Sequence, residues 1–188
     1  MKLKKLARLC SARKRIQLFD GETVQYIGDG SAVYPVWGMP ELDKESLMVV
    51  FDIPEKKQKD FFISREPAPE SINLKDVDET EQLVERLGFE IDGMVLLRTG
   101  KGLAMIDGKY LGPVEDEENL ELYERTGKDG AQYIAAKAGF DLLALISEVQ
   151  VTAGFVDKLA ELLELAAMRT ARELEEPGQT DVPGQMEM

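Results

Sequence analysis

The chain opens with a 3.6-residue rhythm of apolar positions and then passes to shorter runs of strand-like character. Over residues 2–14, Leu3, Leu6, Ala7 and Cys10 fall on one side of a helix, while Lys4, Lys5, Arg8 and Arg15 fall on the other. Runs of strand character follow at 15–19, 23–27, 32–37 and 47–53, separated by the turn signals Asp20-Gly21, Asp29-Gly30 and Gly38-Met39-Pro40. Pro54 ends the fourth run, and residues 55–60 read as a charged loop before Phe61-Phe62-Ile63.

Pro67-Ala68-Pro69 opens a linker that extends to about Val77. Beyond it the pattern predicts a short helix over 79–87, closed by Gly88 in the left-handed cap position. A second strand-rich block covers 94–98, 103–106, 109–114, 132–137 and 142–152, with a hairpin tip at Thr99-Gly100-Lys101-Gly102. A long helix is predicted from about 155 to 175, with Phe155, Leu159, Leu162, Leu163 and Ala166 on its expected buried stripe. Pro177 stops it, and residues 177–188 read as a disordered tail. The expected fold is α+β: a single domain over 1–176, with strand-rich halves 1–66 and 78–176 joined by the linker 67–77. Asp29-Gly30 with Pro35-Val36 is echoed at the same spacing by Asp107-Gly108 with Pro113-Val114. Two independent turns with edge prolines explain the echo; an ancient duplication is the other reading.

Composition removes whole classes of chemistry. The 188 residues contain no histidine and one cysteine, so Ser-His-Asp and Cys-His catalysis, His- or thiolate-based zinc sites and an internal disulfide are excluded within the sequence. What is left for an enzyme is carboxylate or lysine chemistry, and no catalytic residue, cofactor or metal site is expected. Gly100-Lys101-Gly102 lacks the upstream glycine and following Ser or Thr of a phosphate loop. The acidic run 115–118 reads as a solvated loop. No apolar run approaches the ~20 residues of a membrane span, and a cytoplasmic protein is expected.

Charge is the feature that speaks about partners. Lys2, Lys4, Lys5, Arg8, Arg13, Lys14 and Arg15 all precede the first acid, Asp20; with −13 overall, the remainder of the chain sums to −20. A basic row on one helix face is suited to neutralising phosphates. Lys56, Lys57 and Lys59 form a second basic group. No aromatic residues interleave with either cluster in the manner of a single-strand stacking platform, so the expected contact is with backbone. Trp37, with Met39, is either a docking loop or a core tryptophan at a strand end, and the core position is the expectation.

Several segments carry a resemblance: Leu18-Phe19-Asp20-Gly21, Gly28-Asp29-Gly30, Tyr34-Pro35, Phe51-Asp52-Ile53, Lys109-Tyr110-Leu111, Tyr123-Glu124-Arg125 and Lys137-Ala138-Gly139-Phe140. Through them the chain resembles a small protein family carried by prophages and mobile elements of Firmicute bacteria. In organisation it is also distantly similar to DNA sliding-clamp domains, which are acidic overall and present basic helices to the duplex. It departs from them in its shorter length and in the acids of its last helix, among them Asp157, Glu161 and Glu164. The clamp-like organisation and the basic clusters together lead to the expectation of a non-enzymatic, DNA-associated accessory protein, with Lys4, Lys5, Arg8, Arg15, Lys56, Lys57 and Lys59, read from the charge pattern, contacting duplex backbone. A replication or phage protein is an implied partner. The alternative is an interaction module that forms homo-oligomers through the C-terminal helix and has no nucleic-acid role.

Overall fold

Helix α1 (Leu3–Arg13) is followed by a meander of β1 (Arg15–Asp20), β2 (Gln25–Gly28) and β3 (Ala32–Pro35). The short helices α2 (Lys44–Val50) and α3 (Glu55–Gln58) lead to β4 (Phe62–Pro67), which returns to pair in parallel with β1. The structure, a computed structural model, describes residues 1–175. The chain divides into two units, Met1–Val149 and Gln150–Met188. As expected, the fold is α+β.

Two sheets form the first unit. After a two-residue strand β5 (Gln82–Leu83), the chain makes a separate three-stranded meander of β6 (Glu85–Ile91), β7 (Met94–Thr99) and β8 (Gly102–Asp107). It then returns as β9 (Leu120–Thr126), β10 (Gln132–Ala138) and β11 (Asp141–Ser147), completing an eight-stranded sheet in the order β4-β1-β2-β3-β11-β10-β9-β5. The central joint is β3 against β11, where Leu145 pairs with Val33.

Residues alternate between two cores across this sheet. Ile16, Leu18, Ile27, Tyr34, Ile134, Ala136 and Ile146 join α1, α2 and the three-stranded sheet in the larger core. Phe19, Tyr26, Tyr133, Ala135 and Leu145 face the other way, into a smaller core with Leu74. Burial on both faces makes the central strands nearly continuously buried, as at Tyr133–Lys137 in β10.

The cover on the second face is the expected linker. From β4 at one edge, residues 68–81 run to β5 at the other, a sheet width of about 34 Å at 4.8 Å per strand. Fourteen residues reach at most about 48 Å, enough to cross the sheet in one pass. The Tyr26 hydroxyl donates to Leu74 O at 2.6 Å, Asn73 N–H donates to the Tyr133 hydroxyl at 3.0 Å, and Leu142 N–H donates to Asp76 at 2.9 Å. Beneath it lies Arg125, fully buried. Its guanidinium donates to Glu81 at 2.6 and 3.1 Å, and to the carbonyls of Asn73, Lys75 and Asp76 at 2.9–3.1 Å. Lys137 donates to the other oxygen of Glu81 at 2.6 Å.

Several expectations are corrected. Residues 47–53 form helix α2 and a turn instead of a strand: Asp43 and Ser46 exchange capping hydrogen bonds at its start, and Leu47 and Met48 point into the core. Residues 55–58, expected as loop, form α3. The helix expected over 79–87 is strand on both sides of Val84, whose N–H donates to Leu122 O at 2.9 Å. Gly88, at φ +76°, sits at a register shift within β6. The strand expected over 109–114 is replaced by a 3₁₀ turn, Gly108–Tyr110, because the Asp107 carboxylate caps Lys109 N–H. The two Asp-Gly pairs therefore serve different local structures: Asp29-Gly30 makes the β2–β3 turn, with Gly30 at φ +94°.

The second unit contributes α4 (Ala153–Glu175). Its expected buried stripe is not buried: Leu162 and Leu163 are 58% and 63% exposed. The expected tail, residues 177–188, lies outside the described residues. Among the described residues no helix is long and apolar enough to cross a membrane.

Candidate nucleic-acid interface

Helix α1 begins against its own electrostatics. Lys2, Lys4 and Lys5 crowd its N-terminus, and its first turn has no acid, although that end of a helix favours negative charge. The acidic run supplies what the helix lacks. Glu117 pairs with the terminal amine of Met1, Asp116 with Lys2 and Glu115 with Lys5, while Lys2 N–H donates to Pro113 O at 2.6 Å. The neighbouring Lys5 holds the Glu115 carboxyl below its ordinary range. The run expected to be a solvated loop is thus a docking strip for the start of α1, and Lys5 is committed to it.

Further along, Leu6 and Cys10 anchor the helix in the larger core. Burial pushes the Cys10 thiol up to about 12, leaving it a small apolar group at neutral pH. At the helix end Lys14 takes the left-handed cap conformation, φ 52°, and its N–H returns to the last carbonyls. Arg13 lies 3.5 Å from Asp29. That carboxylate, 3% exposed, also accepts from Ser31 N–H, Ala32 N–H and the Tyr110 hydroxyl. It ties the helix end to the β2–β3 turn and the 3₁₀ turn.

Two of the remaining cations face each other across one cleft. Ser11 and Lys14 from the end of α1 face Lys57 of α3 across a cavity of about 290 Å³, with Asp52, Asp60 and Phe61 completing its wall. Lys14 lies 3.7 Å from Asp60. Lys4 and Arg8 continue the row up the helix, four residues apart and four before Ala12, on the exposed face. The Arg15 guanidinium lies over the Phe62 ring, 5.4 Å from its centre. Among the described residues Lys4, Arg8, Lys56, Lys57 and Lys59 are exposed and make no ion pair.

Of the expected phosphate-contacting residues, the structure sets Lys4 and Arg8 in the exposed row of α1 and Lys57 on the cleft at its end, with Lys56 and Lys59 beside it in sequence, and turns Arg15 to the opposite face of the sheet, toward Gly30. It withdraws Lys5 into an ion pair. Lys14 joins them; Phe62, 57% exposed, lies with Arg15 on the far face of the sheet, and the ring on the cleft wall is the half-buried Phe61, two residues after Lys59.

Trp37 departs from its expected core position. It is 52% exposed at the end of β3 and lines a wide groove with Glu22, Lys75 and Lys128. Met39 is half-buried against the larger core. Among the described residues no group of three or more Cys, Asp or Glu side chains is placed to hold a metal ion. The chain matches no family model, no curated protein and no solved structure.

Proposed function

We propose that the protein is a non-enzymatic accessory factor of a mobile genetic element that holds the backbone of duplex DNA against the α1–α3 surface. Lys4, Arg8, Lys56, Lys57 and Lys59 neutralise phosphates, and Lys14 borders them. The observation that carries this reading is the division of labour among the N-terminal cations. Lys2 and Lys5 are consumed by the acidic run 115–117 and Arg13 by Asp29, whereas Lys4 and Arg8 stay unpaired on the exposed helix face and Lys14, at the end of α1, meets Lys57 across the cleft.

Such a surface reads charge and spacing, not bases. The ring on the cleft wall, Phe61, is half-buried. Binding is therefore independent of sequence and steeply dependent on salt, as the clamp resemblance implies.

A fluorescence titration of labelled duplex across a salt series tests it. Five unpaired cations predict a log–log slope of about −4.5. Replacing the docking acids in Glu115→Gln, Asp116→Asn and Glu117→Gln releases Lys2 and Lys5, and steepens the slope by about 0.9 for each one that reaches a phosphate. Arg8→Glu with Lys57→Glu abolishes binding. Absence of duplex binding by the unaltered protein at low salt overturns the proposal.

A further inference from the structure

Trp37 is the single tryptophan of the chain, and the backbone holds it half out of the protein. Before it, Val36 is buried and its N–H donates to Gln25 O at 2.9 Å; after it, Met39 packs against the larger core. The ring between these anchors stays 52% exposed, on the wall of a groove of about 1020 Å³. Tyr26, Leu74 and Tyr133 also line the groove, and Val77 of the strap, 68% exposed, adds a further apolar contact. The strap is bonded to both tyrosine hydroxyls, so the groove has its shape before anything binds. All of its lining residues belong to the first unit.

Charge decides what this groove can hold. Six acids and two lysines line it. Adding the charged groups bonded to the lining, which are Arg65 with Glu41, Lys101 with Glu124, and Arg125 and Lys137 with Glu81, gives nine acids against six cations. Among the described residues Glu70, Asp76, Asp78 and Glu79, all on the strap, make no ion pair. This balance repels nucleic acid and anionic membrane surfaces, and the volume lies at the upper limit of small-molecule pockets. We infer that the groove takes an extended, arginine-rich segment of a partner protein. One guanidinium lies over the indole of Trp37, the ring that attracts cations most strongly. Others meet the strap carboxylates, which the planar fork engages through paired hydrogen bonds. The inference is independent of the DNA reading, because the groove lies on the strap side of the sheet and α1 on the other.

With one tryptophan in the chain, its emission reports on the groove directly. Titrating the full chain with a nona-arginine peptide is expected to shift that emission to saturation, and a nona-glutamate peptide to leave it unchanged. The whole chain is acidic, so the place of binding is read from variants by the fluorescence anisotropy of labelled nona-arginine. Trp37→Ala, and separately Glu70→Gln with Glu79→Gln, each weaken binding about tenfold. Glu55→Gln with Glu90→Gln, exposed acids outside the groove, leaves it unchanged. Undiminished binding by Trp37→Ala, or equal losses from the two glutamate pairs, overturns the inference. Self-association of the unaltered protein that Trp37→Ala abolishes in light scattering puts a second copy in the groove and overturns it as well.

Discussion

At Glu148 a carboxylate oxygen is shielded from water and, among the described residues, receives no hydrogen bond. Burial raises the pKa of this group, and the negative charge of Glu124, itself 2% exposed, raises it further; Lys101 works in the opposite direction. The sign follows from the protons bound. Between the ordinary glutamate value of 4.5 and the raised one the folded chain holds a proton that the unfolded chain has lost, so stability falls as pH rises through that window. Glu148→Gln keeps the shape and removes the charge. Urea unfolding at a series of pH values is expected to show a gain of about 1 kcal/mol at neutral pH, the low end for an unpaired buried polar group, because Glu148 is only partly buried. The gain disappears below the ordinary value, where both states are protonated. Neither glutamate announces itself in the sequence, since a charge on a strand is ordinarily assigned to the solvent side.

Elements were legible where their signals are local. The amphipathic period of α1, the Asp29-Gly30 turn and the hairpin at Thr99 to Gly102 all appear where the residue pattern puts them. Local signals failed where a distant partner decides the backbone. Residues 82–91 have the composition of a helix but become strand, because Leu83 pairs with Tyr123 and Arg86 with Leu97. The strap shows the same dependence. Its composition is that of a linker, and Arg125 on β9 converts it into the lid of a core by taking three of its carbonyls. Arg125→Met leaves Glu81 with Lys137 alone and those carbonyls unpaired. It is expected to lower stability by about 3–5 kcal/mol in chemical denaturation, as when one partner of a buried ion pair is removed. Arg125→Lys recovers only part of this, since one ammonium cannot span the five hydrogen bonds of the planar fork.

On the scale of the whole molecule, the cores of the first unit draw their residues from Leu3 to Ile146. A chain ending at Gln150 is expected to unfold in a single cooperative transition in chemical denaturation. Loss of a cooperative transition contradicts the assignment of residues 1–149 as a unit with its own cores. The basic surface also belongs to this scale. Its cations come from the first and sixth decades of the sequence, and the acids that subtract from it come from the twelfth.

Composition, periodicity and charge order determined by themselves the α+β class, the amphipathic basic first helix, the long last helix and the exclusion of histidine chemistry. These are properties of residue type and of spacings within a few positions. Tertiary structure decided which charges remain available and how the linker closes the sheet. The reason is electrostatic and steric: a charge acts on a partner only if no nearer countercharge holds it. Whether Glu115 or a phosphate meets Lys5 depends on a contact spanning 110 residues, a distance that no local pattern encodes.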